Sequence, residues 1–350
     1  MSSRNPLESF SKIRVWRAQE LLDFAFSKAT SKTASLPSIL PNLEKVKRKE
    51  IKRLSNSVEV LIEKLRLIVK SVPNLDALPD FYRKLSHLLV DNDELRVALG
   101  RINGILPVIR RLEKEYRRKI GQQINAKQCA VARVSFFGRC SSVVRKQAQT
   151  LKFLEECRLK LQQVPTVNLI TPSVVIAGYP NTGKSTLVGK LSSARPLISE
   201  YPFTTKQIFL GTYKDQFDAT YFQVIDTPGI LDRPMIKRNS IEKQAILALN
   251  TIATIVLFII DPTYASGYEL SSQIALLREI EATFAKGLDI PIKIIINKVD
   301  FATDAEIDTV LSALEMTRDE VITISAKEGT NVDEVIAYLL KYFKETNYQR

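Results

Sequence analysis

The stretch Gly178-Tyr-Pro-Asn-Thr-Gly-Lys-Ser-Thr186 fits the pattern G-x-x-x-x-G-K-[ST] at every position. The apolar run before it, at residues 173–177, is typical of a buried strand, and residues 187–191 after it indicate the start of a helix. A glycine loop between a strand and a helix points backbone N–H groups and the positive end of the helix dipole at an anion. The sequence therefore predicts a binding site for the phosphates of a nucleotide.

Each residue type in this loop has a role in phosphate binding. Gly178 and Gly183 let the backbone bend and come close to a polyphosphate. Lys184 is expected to reach the β- and γ-phosphates, and Ser185 is expected to offer its hydroxyl group to Mg²⁺. The loop residues predicted to bind the nucleotide are Tyr179, Pro180, Asn181, Thr182, Gly183, Lys184, Ser185 and Thr186.

The second half of the chain, residues 166–350, alternates short apolar runs with amphipathic segments. This alternation is typical of a three-layer α/β domain. Strands are predicted at residues 173–177, 208–214, 219–226, 254–261, 292–297 and 320–325, and the second and third of them form a hairpin. Further helices are predicted at about residues 240–253, 269–285, 305–314 and 331–343. The predicted fold is an α/β P-loop domain with a mostly parallel six-stranded sheet.

Three more short motifs end predicted strands of this domain. In the first, Asp226 can hold Mg²⁺ through a water molecule, and the Gly229 N–H group can bond the γ-phosphate. The second is the N-K-x-D motif at residues 297–300. In it, Asp300 can accept two N–H bonds from guanine, and adenine offers no such pair of donors. In the third, residues 325–327 can add a backbone N–H bond to the guanine O6. The residues predicted to bind the nucleotide are Asp226, Thr227, Pro228, Gly229, Asn297, Lys298, Asp300, Ser325, Ala326 and Lys327.

The order and place of these motifs define the expected ligand. Open parallel sheets bind ligands at the carboxyl ends of their strands, and every motif lies at such an end. Each motif alone is a weak signal, but together and in this order they predict a guanine-nucleotide switch domain that binds GTP or GDP with Mg²⁺.

The first half of the chain, residues 1–165, carries apolar residues at helical spacing almost throughout. Helices are predicted at about residues 7–32, 42–70, 80–89 and 126–163. Another is predicted to run through residues 95–105 and on past Pro107, where a kink is expected. Asp91 or Asp93 is a candidate cap for that helix. Pro165 and Pro172 bracket a linker. The chain is therefore predicted to contain an all-α bundle at residues 1–165 and a nucleotide-binding domain at residues 166–350.

The net charge of +13 is unevenly distributed. Residues 1–165 contain 33 Lys and Arg against 16 Asp and Glu, whereas residues 166–350 contain 18 against 22. The excess is greatest between Arg101 and Thr150, where twelve Lys and Arg face only Glu113 and Glu115. Such an excess favours a polyanionic partner, and RNA is the natural candidate. A basic surface without a partner is the alternative that the sequence leaves open.

The apolar runs, the first residues and the cysteines indicate where in the cell the protein is expected. No uncharged apolar run is long enough to cross a membrane, and the first residues do not resemble a secretory signal. Cys129, Cys140 and Cys157 are odd in number and lack C-x-x-C spacing, so neither a disulfide framework nor a zinc site is indicated. A cytoplasmic location and a monomeric state are expected.

The second half resembles the Obg family of translation-factor-class GTPases, and it is most similar to the Nog subfamily, the nucleolar GTP-binding proteins. The runs that carry this resemblance are residues 178–181, 203–206, 226–232 and 238–242, with 97–103 in the helical half. The resemblance covers nearly the whole chain and implies a helical bundle before a GTPase domain. It also implies a role in assembly of the large ribosomal subunit. The chain stops shortly after the GTPase domain, which is similar to the shorter archaeal form or else to a truncated piece of a longer member.

The resemblance also assigns roles in the segment Tyr201–Lys206, which resembles the first switch of the family. Phe203, Thr204 and Thr205 are implied to contact the nucleotide, and Thr205 is implied to bind Mg²⁺ and the γ-phosphate. The implied metal ligands are Ser185, Thr205 and Asp226, and the implied catalytic residues are Lys184, Thr205 and Gly229.

The position that often holds a catalytic glutamine, directly after Gly229, is Ile230, and Leu231 follows it. Neither side chain can orient water, so GTP hydrolysis is expected to be slow until a partner accelerates it. Asn181 resembles the asparagine that binds K⁺ in potassium-activated GTPases. The expected partners are a large-subunit precursor, its rRNA and other assembly factors. The alternatives are a GTP-dependent regulator on another RNA or a membrane surface, and a nucleotide sensor that binds a protein.

Overall fold

The computed structural model describes residues 5–31, 40–193, 197–200, 207–214, 219–226, 231–232, 240–288 and 290–346. The chain forms two compact units. The first, called the helical unit, consists of Pro6–Asp76 and Leu89–Gln162. The second, called the sheet unit, joins Asn5 and Ala77–Leu88 to the chain from Gln163 onward.

The first half of the chain is helical in the described ranges, as predicted. Its helices are α1 (Glu8–Ser11), α2 (Ala18–Ser31), α3 (Asn42–Ser71), α4 (Asp80–Leu89), α5 (Asn92–Gly121), α6 (Ala126–Arg145) and α7 (Ala148–Gln162). The single helices predicted at 7–32 and 126–163 are each divided in two, at residues 12–17 and at 146–147. Apolar spacing continues across both breaks, so periodicity alone does not reveal them.

The core of the helical unit lies between the two longest helices, α3 and α5. Leu54, Val58, Leu61 and Leu65 of α3 follow each other at spacings of three or four residues and are fully buried. Burial of one such side chain contributes about 2 kcal/mol. Asp91 caps α5, because its carboxylate accepts the N–H groups of residues 93 and 94, each at 2.9 Å. Such a cap stabilises a helix by about 1 kcal/mol.

The sheet unit contains one seven-stranded sheet in the order β2-β3-β4-β1-β5-β6-β7. The strands are β1 (Ser173–Ala177), β2 (Leu197–Glu200), β3 (Gln207–Lys214), β4 (Thr220–Asp226), β5 (Ile255–Ile260), β6 (Ile292–Ile296) and β7 (Ile322–Thr323). Only the β2–β3 and β3–β4 pairs are antiparallel. The predicted fold class is confirmed. The sheet has one strand more than predicted, because the sequence analysis predicted no strand for the four residues of the short edge strand β2.

Helices α8 (Lys184–Leu191), α9 (Ser240–Leu249), α10 (Leu270–Leu288), α11 (Asp304–Leu314) and α12 (Val332–Glu345) alternate with these strands. Every residue of β1 and of β5 is buried, as expected for central parallel strands covered on both faces. The parallel pairing places the ends of β1, β4, β5, β6 and β7 at one edge of the sheet. No helix in the described parts of the chain is both long and apolar enough to cross a membrane.

Helix α4 belongs to the sheet unit, although the sequence analysis placed it in the bundle at residues 1–165. The side chain of Tyr82 is 1% exposed, and its hydroxyl donates to the Val167 carbonyl and accepts the Val167 N–H, both at 3.0 Å. Burial raises the pKa of Tyr82 above its ordinary value, so the hydroxyl stays protonated and able to donate. Local periodicity gives no sign of this contact, because the two residues lie 85 positions apart.

Candidate nucleotide-binding site

A cavity of about 560 Å³ opens at the carboxyl edge of the sheet. It is lined by residues from the glycine loop, from the loop after β5 and from the segments that follow β6 and β7. The lining residues are Asn181, Gly183, Lys184, Ser185, Thr186, Ala265, Asn297, Lys298, Asp300, Phe301, Ala326 and Lys327. The structure therefore brings together the phosphate loop and two of the predicted base-binding motifs.

The glycine loop depends on its two outer glycines for its shape. Gly178 has a φ of 135°, and a Cβ atom there would lie 2.5 Å from the Ile259 carbonyl oxygen. Gly183 has a φ of 102°, and a Cβ atom there would lie 2.1 Å from Nδ2 of Asn297. Backbone conformation and close approach therefore both exclude a side chain at these positions. Asn181 is left-handed as well, with a φ of 62°, and its exposed side chain lines the cavity.

Lys184 begins helix α8 and is buried beneath the loop. Its Nζ donates to the carbonyl oxygen of Tyr179 at 2.7 Å, which holds the ammonium group beside the loop. Burial lowers the pKa of Lys184, and the negative charges of Asp226 and Asp232 oppose this effect. A phosphate group bound next to this ammonium would stabilise its charged form.

Ser185 and Asp226 are adjacent, as the magnesium prediction requires. The Ser185 hydroxyl donates to Oδ2 of Asp226 at 2.8 Å, although the two residues lie 41 positions apart. A hydroxyl and a carboxylate oxygen are the ligand types that Mg²⁺ accepts together with phosphate oxygens and water. This pair therefore fits a magnesium ion bound next to the phosphates.

Asn297 connects the phosphate loop to the base-binding end of the cavity. Its Nδ2 donates to the Thr182 carbonyl oxygen at 2.8 Å, and its Oδ1 accepts the Ala326 N–H at 2.9 Å. Both groups of this buried amide are therefore in use, and they fix three segments of the chain relative to one another. The sequence predicted Asn297 as a nucleotide-binding residue, and here it organises the backbone around the cavity.

Asp300 is exposed at the rim of the cavity. Among the residues that the structure describes, its carboxylate has no hydrogen-bond donor and no ion-pair partner. It is therefore free to accept the two N–H groups of a guanine edge. The Ala326 N–H is already donated to Asn297. The Lys327 N–H has no acceptor among the described residues, so it is the backbone group of residues 325–327 that could bond the guanine O6. The buried Ser325 stabilises this loop, because its Oγ accepts the Glu328 N–H at 3.2 Å.

Two lining residues, Ala265 and Phe301, were missed by the sequence analysis. Phe301 directly follows the N-K-x-D motif, is 66% exposed, and lies 5.5 Å from the Lys327 ammonium at its ring centre. Ala265 lies in the loop 261–267, which follows the buried strand β5. The rule that ligands bind at the carboxyl ends of parallel strands could have drawn attention to this loop.

Six predicted site residues lie outside the described residues. They are Phe203, Thr204 and Thr205 in the segment that resembles the first switch, and Thr227, Pro228 and Gly229 after β4. Leu231, just beyond them, is buried, and its carbonyl oxygen accepts the Gly178 N–H at 3.2 Å. Residue 231 is therefore connected to the phosphate loop through a backbone hydrogen bond. Pro180 is half-buried in that loop and does not line the cavity.

These features define a P-loop nucleotide-binding protein. They are a glycine loop at the start of a helix, a buried lysine in that loop and a Ser–Asp pair at a strand end. Comparison with known families agrees with this class. Residues 10–168 match the family described as the NOG1 N-terminal helical domain, and residues 173–298 match the family described as 50S ribosome-binding GTPase.

Relatives extend this result over most of the chain. An uncharacterized protein of Methanocaldococcus jannaschii is 38% identical over 77% of this chain and 73% of its own length. Nucleolar GTP-binding protein 1 of Drosophila melanogaster is 29% identical over 94% of this chain and 51% of its own length. A solved structure of a Plasmodium falciparum nucleolar GTP-binding protein 1 is 28% identical, covers 52% of this chain and 93% of that chain, and has a TM-score of 0.42.

The chain belongs to the Nog family of P-loop GTPases, the nucleolar GTP-binding proteins. It spans about half the length of the nucleolar relatives that it matches.

Proposed function

We propose that this protein is a GTP-hydrolysing switch that acts in assembly of the large ribosomal subunit, and that its helical unit binds rRNA of the precursor. The observation that carries the proposal is a guanine-type nucleotide site in the same chain as a row of exposed cations that form no ion pair with any described residue. The second matched family, described as a 50S ribosome-binding GTPase, supports the same particle as partner.

Eight of the twelve cations in the basic stretch Arg101–Thr150 fall into two groups. Five of them form ion pairs with acidic side chains of the helical unit: Arg110 and Arg117 with Glu113, Lys119 and Arg139 with Glu115, and Arg133 with Glu50. Arg111, Lys114 and Arg118 are exposed on α5 and form no ion pair with any described residue. Their spacing of three and four residues places them on one face of the helix. We call these three residues the cation row.

The cation row is the surface that we assign to phosphate contacts. Phosphates of RNA would neutralise these three charges and release counterions, so binding would weaken as salt rises. The runner-up functions are a GTP-dependent regulator on another RNA or a membrane surface, and a nucleotide sensor with a protein partner. A protein partner would show a much smaller dependence on salt.

The proposal predicts that the protein sediments with large-subunit precursors in the presence of a GTP analogue and less in GDP. Replacing Arg111, Lys114 and Arg118 with alanine should weaken this binding and should reduce the salt slope, by about one unit for each lost phosphate contact. The matched control removes three exposed cations of the sheet unit, Arg278, Lys341 and Lys344, and should leave binding unchanged. Equal loss in both triple variants would exclude the cation row as the contact surface.

Hydrolysis would use the phosphate end of the cavity. Lys184 would stabilise charge on the β- and γ-phosphates. Ser185 and Asp226 would hold a magnesium ion, which would supply further positive charge there. Thr205 and the Gly229 N–H are proposed to contact the γ-phosphate and to lose that contact after hydrolysis. Since Ile230 and Leu231 cannot orient water, the chain lacks the usual side chain for this task. A K⁺ ion at Asn181 and a surface of the particle are the proposed substitutes.

Single-turnover hydrolysis should therefore be slow for the isolated protein and faster with large-subunit particles. It should also be faster in KCl than in matched NaCl, because K⁺ at Asn181 would add positive charge near the leaving phosphates. A removal of Mg²⁺ by EDTA should abolish turnover in both salts. Fast unaided hydrolysis would contradict the role of the partner, and equal rates in KCl and NaCl would contradict the role of K⁺.

The protein is further proposed to act as a monomer in the cytoplasm, together with other assembly factors. Its three cysteines are buried and are not in disulfides, which agrees with a reducing compartment.

A further inference from the structure

Asp261 is a buried acidic residue that the roles assigned so far do not use. It directly follows β5 at the carboxyl edge of the sheet and is 1% exposed. Its Oδ1 accepts the Thr263 N–H at 2.9 Å and the Thr263 hydroxyl at 2.7 Å. Its Oδ2 accepts the Ser266 N–H at 2.7 Å and the ammonium group of Lys298 at 2.6 Å. The carboxylate therefore has four donors, three from its own loop and one from the N-K-x-D motif.

The backbone at Asp261 is fixed independently of the carboxylate. The side chain of Gln273, from α10, is 1% exposed. Its Oε1 accepts the Asp261 N–H at 2.9 Å, and its Nε2 donates to the Asp261 carbonyl oxygen at 3.0 Å and to the Tyr268 carbonyl oxygen at 3.1 Å. The Gln273 amide therefore fixes the backbone position of Asp261, and with it the place of the carboxylate.

Lys298 is the partner that extends into the cavity. Its backbone is left-handed, with a φ of 67°, a conformation that costs free energy in a residue other than glycine. Its side chain lines the cavity, two residues before Asp300, and its ammonium group ends on Asp261. The stem of the lysine is therefore held at both ends, by its backbone and by the ion pair, beside the position of the base.

The Asp261 carboxylate is charged in this environment. Burial by itself would raise the pKa of Asp261, but the hydrogen bonds from Lys298 and Thr263 outweigh burial and hold this pKa below its ordinary value. At neutral pH the ion pair with Lys298 is therefore formed. By contrast, Asp300 is left free to accept from a ligand, so the two aspartates differ in what they bind.

We propose that Asp261 is a positioning residue for guanine-nucleotide binding, because it tethers the Lys298 ammonium so that the lysine stem forms a fixed wall beside the base. This inference rests on the proposed guanine-nucleotide function. A free lysine would lose rotamer freedom each time a nucleotide binds, whereas the tethered lysine has lost that freedom already. Loss of the tether should therefore lower the affinity for the nucleotide. Affinity differences among variants of one site lie mostly in the dissociation rate, so this loss should appear as faster nucleotide release.

The test is a double-mutant cycle on the release of a fluorescent GDP analogue. Asp261→Asn and Lys298→Ala should each accelerate release about 10-fold, which is a typical effect of losing one charge-assisted contact. The double variant should release the analogue no faster than Lys298→Ala alone, because Asp261 acts through Lys298. Additive effects of the two substitutions would overturn the proposal.

Two more variants separate the tether from a general effect on the loop. Thr263→Val removes the hydroxyl donor to Asp261 and leaves the lysine contact in place, so its release rate should match that of the native chain. Lys298→Met keeps an unbranched stem but removes the ammonium group, so it should release the analogue about as fast as Lys298→Ala. A Thr263→Val variant as fast as Asp261→Asn, or a Lys298→Met variant as slow as the native chain, would contradict the proposal.

The Lys298→Met comparison decides the question even if Asp261→Asn does not fold. Thermal unfolding without nucleotide reports on folding for every variant. A native chain that binds no guanine nucleotide would refute the proposed function itself. If the native chain binds guanine nucleotide tightly but the effects of Asp261→Asn and Lys298→Ala on release are additive, only the role of Asp261 is refuted.

Discussion

Replacing Asp300 with asparagine is expected to weaken GTP binding by about 1000-fold and to shift preference to xanthosine triphosphate. The Asp300 carboxylate is exposed at the rim of the cavity and has no partner among the described residues, so its acceptor capacity is available to a base. Guanine offers it two N–H donors, and each charge-assisted hydrogen bond is worth roughly 2 kcal/mol. Asparagine keeps one acceptor oxygen, which can still accept the ring N–H group of guanine. It replaces the other acceptor by an NH2 group that faces the guanine amino group, so these two facing donors are unpaired, and the remaining hydrogen bond is no longer charge-assisted.

Xanthine carries a carbonyl oxygen where guanine has that amino group, so it accepts from the new amide. Equilibrium titration with fluorescent GTP, XTP and ATP analogues measures all three affinities in the native chain and the variant. Asp319→Asn is the control, because this carboxylate is exposed on the same unit but does not line the cavity. An Asp300 variant that still prefers GTP would show that another group selects the base.

Replacing Lys184 with alanine is expected to weaken the binding of GTP and GDP on the order of 100-fold, which corresponds to ~3 kcal/mol. The ammonium group is buried beside the phosphate loop and is held 2.7 Å from the Tyr179 carbonyl oxygen. It is therefore already placed when phosphates arrive, and little further ordering is needed. The loss should be greater for GTP than for GDP, because the γ-phosphate adds negative charge next to the same ammonium.

Isothermal titration with both nucleotides in Mg²⁺ buffer measures this difference. Lys190→Ala is the matched control, since Lys190 lies on the same helix, is exposed and does not line the cavity. An equal loss in the two lysine variants would point to a general charge effect. An unchanged affinity in Lys184→Ala would refute the assignment of this loop to phosphate binding.

The predictions for the sheet unit and for the helical half succeeded to different degrees. In the sheet unit, strands and helices were located closely, because buried parallel strands leave short continuous apolar runs between amphipathic segments. In the helical half, two predicted helices are each two helices, because apolar spacing continues across a short break. Helix α4 belongs to the sheet unit, since Tyr82 bonds to the Val167 backbone, a contact between distant residues that periodicity does not contain.

The candidate site likewise contains residues that local sequence predicts and residues that only the tertiary structure reveals. Lys184 and Ser185 could be assigned from the loop alone, because their roles follow from their places in a local strand–loop–helix unit. Ala265 and Phe301 could not be assigned in this way. They line the cavity only because the strand order sets the loop after β5 and the segment after β6 beside the glycine loop.

By itself the sequence determined the phosphate loop, the order of the motifs along the chain, the helical character of the first half and the uneven charge, because each is a local or compositional property. The tertiary structure alone decided how residues far apart in the chain combine. Asn297 joins Thr182 and Ala326, and Asp261 holds Lys298 from 37 positions away. Ion pairs neutralise five of the basic residues, whereas the cation row forms no ion pair with any described residue. The physical reason is that such contacts depend on which strands and helices become neighbours, and burial then makes each polar group find a partner.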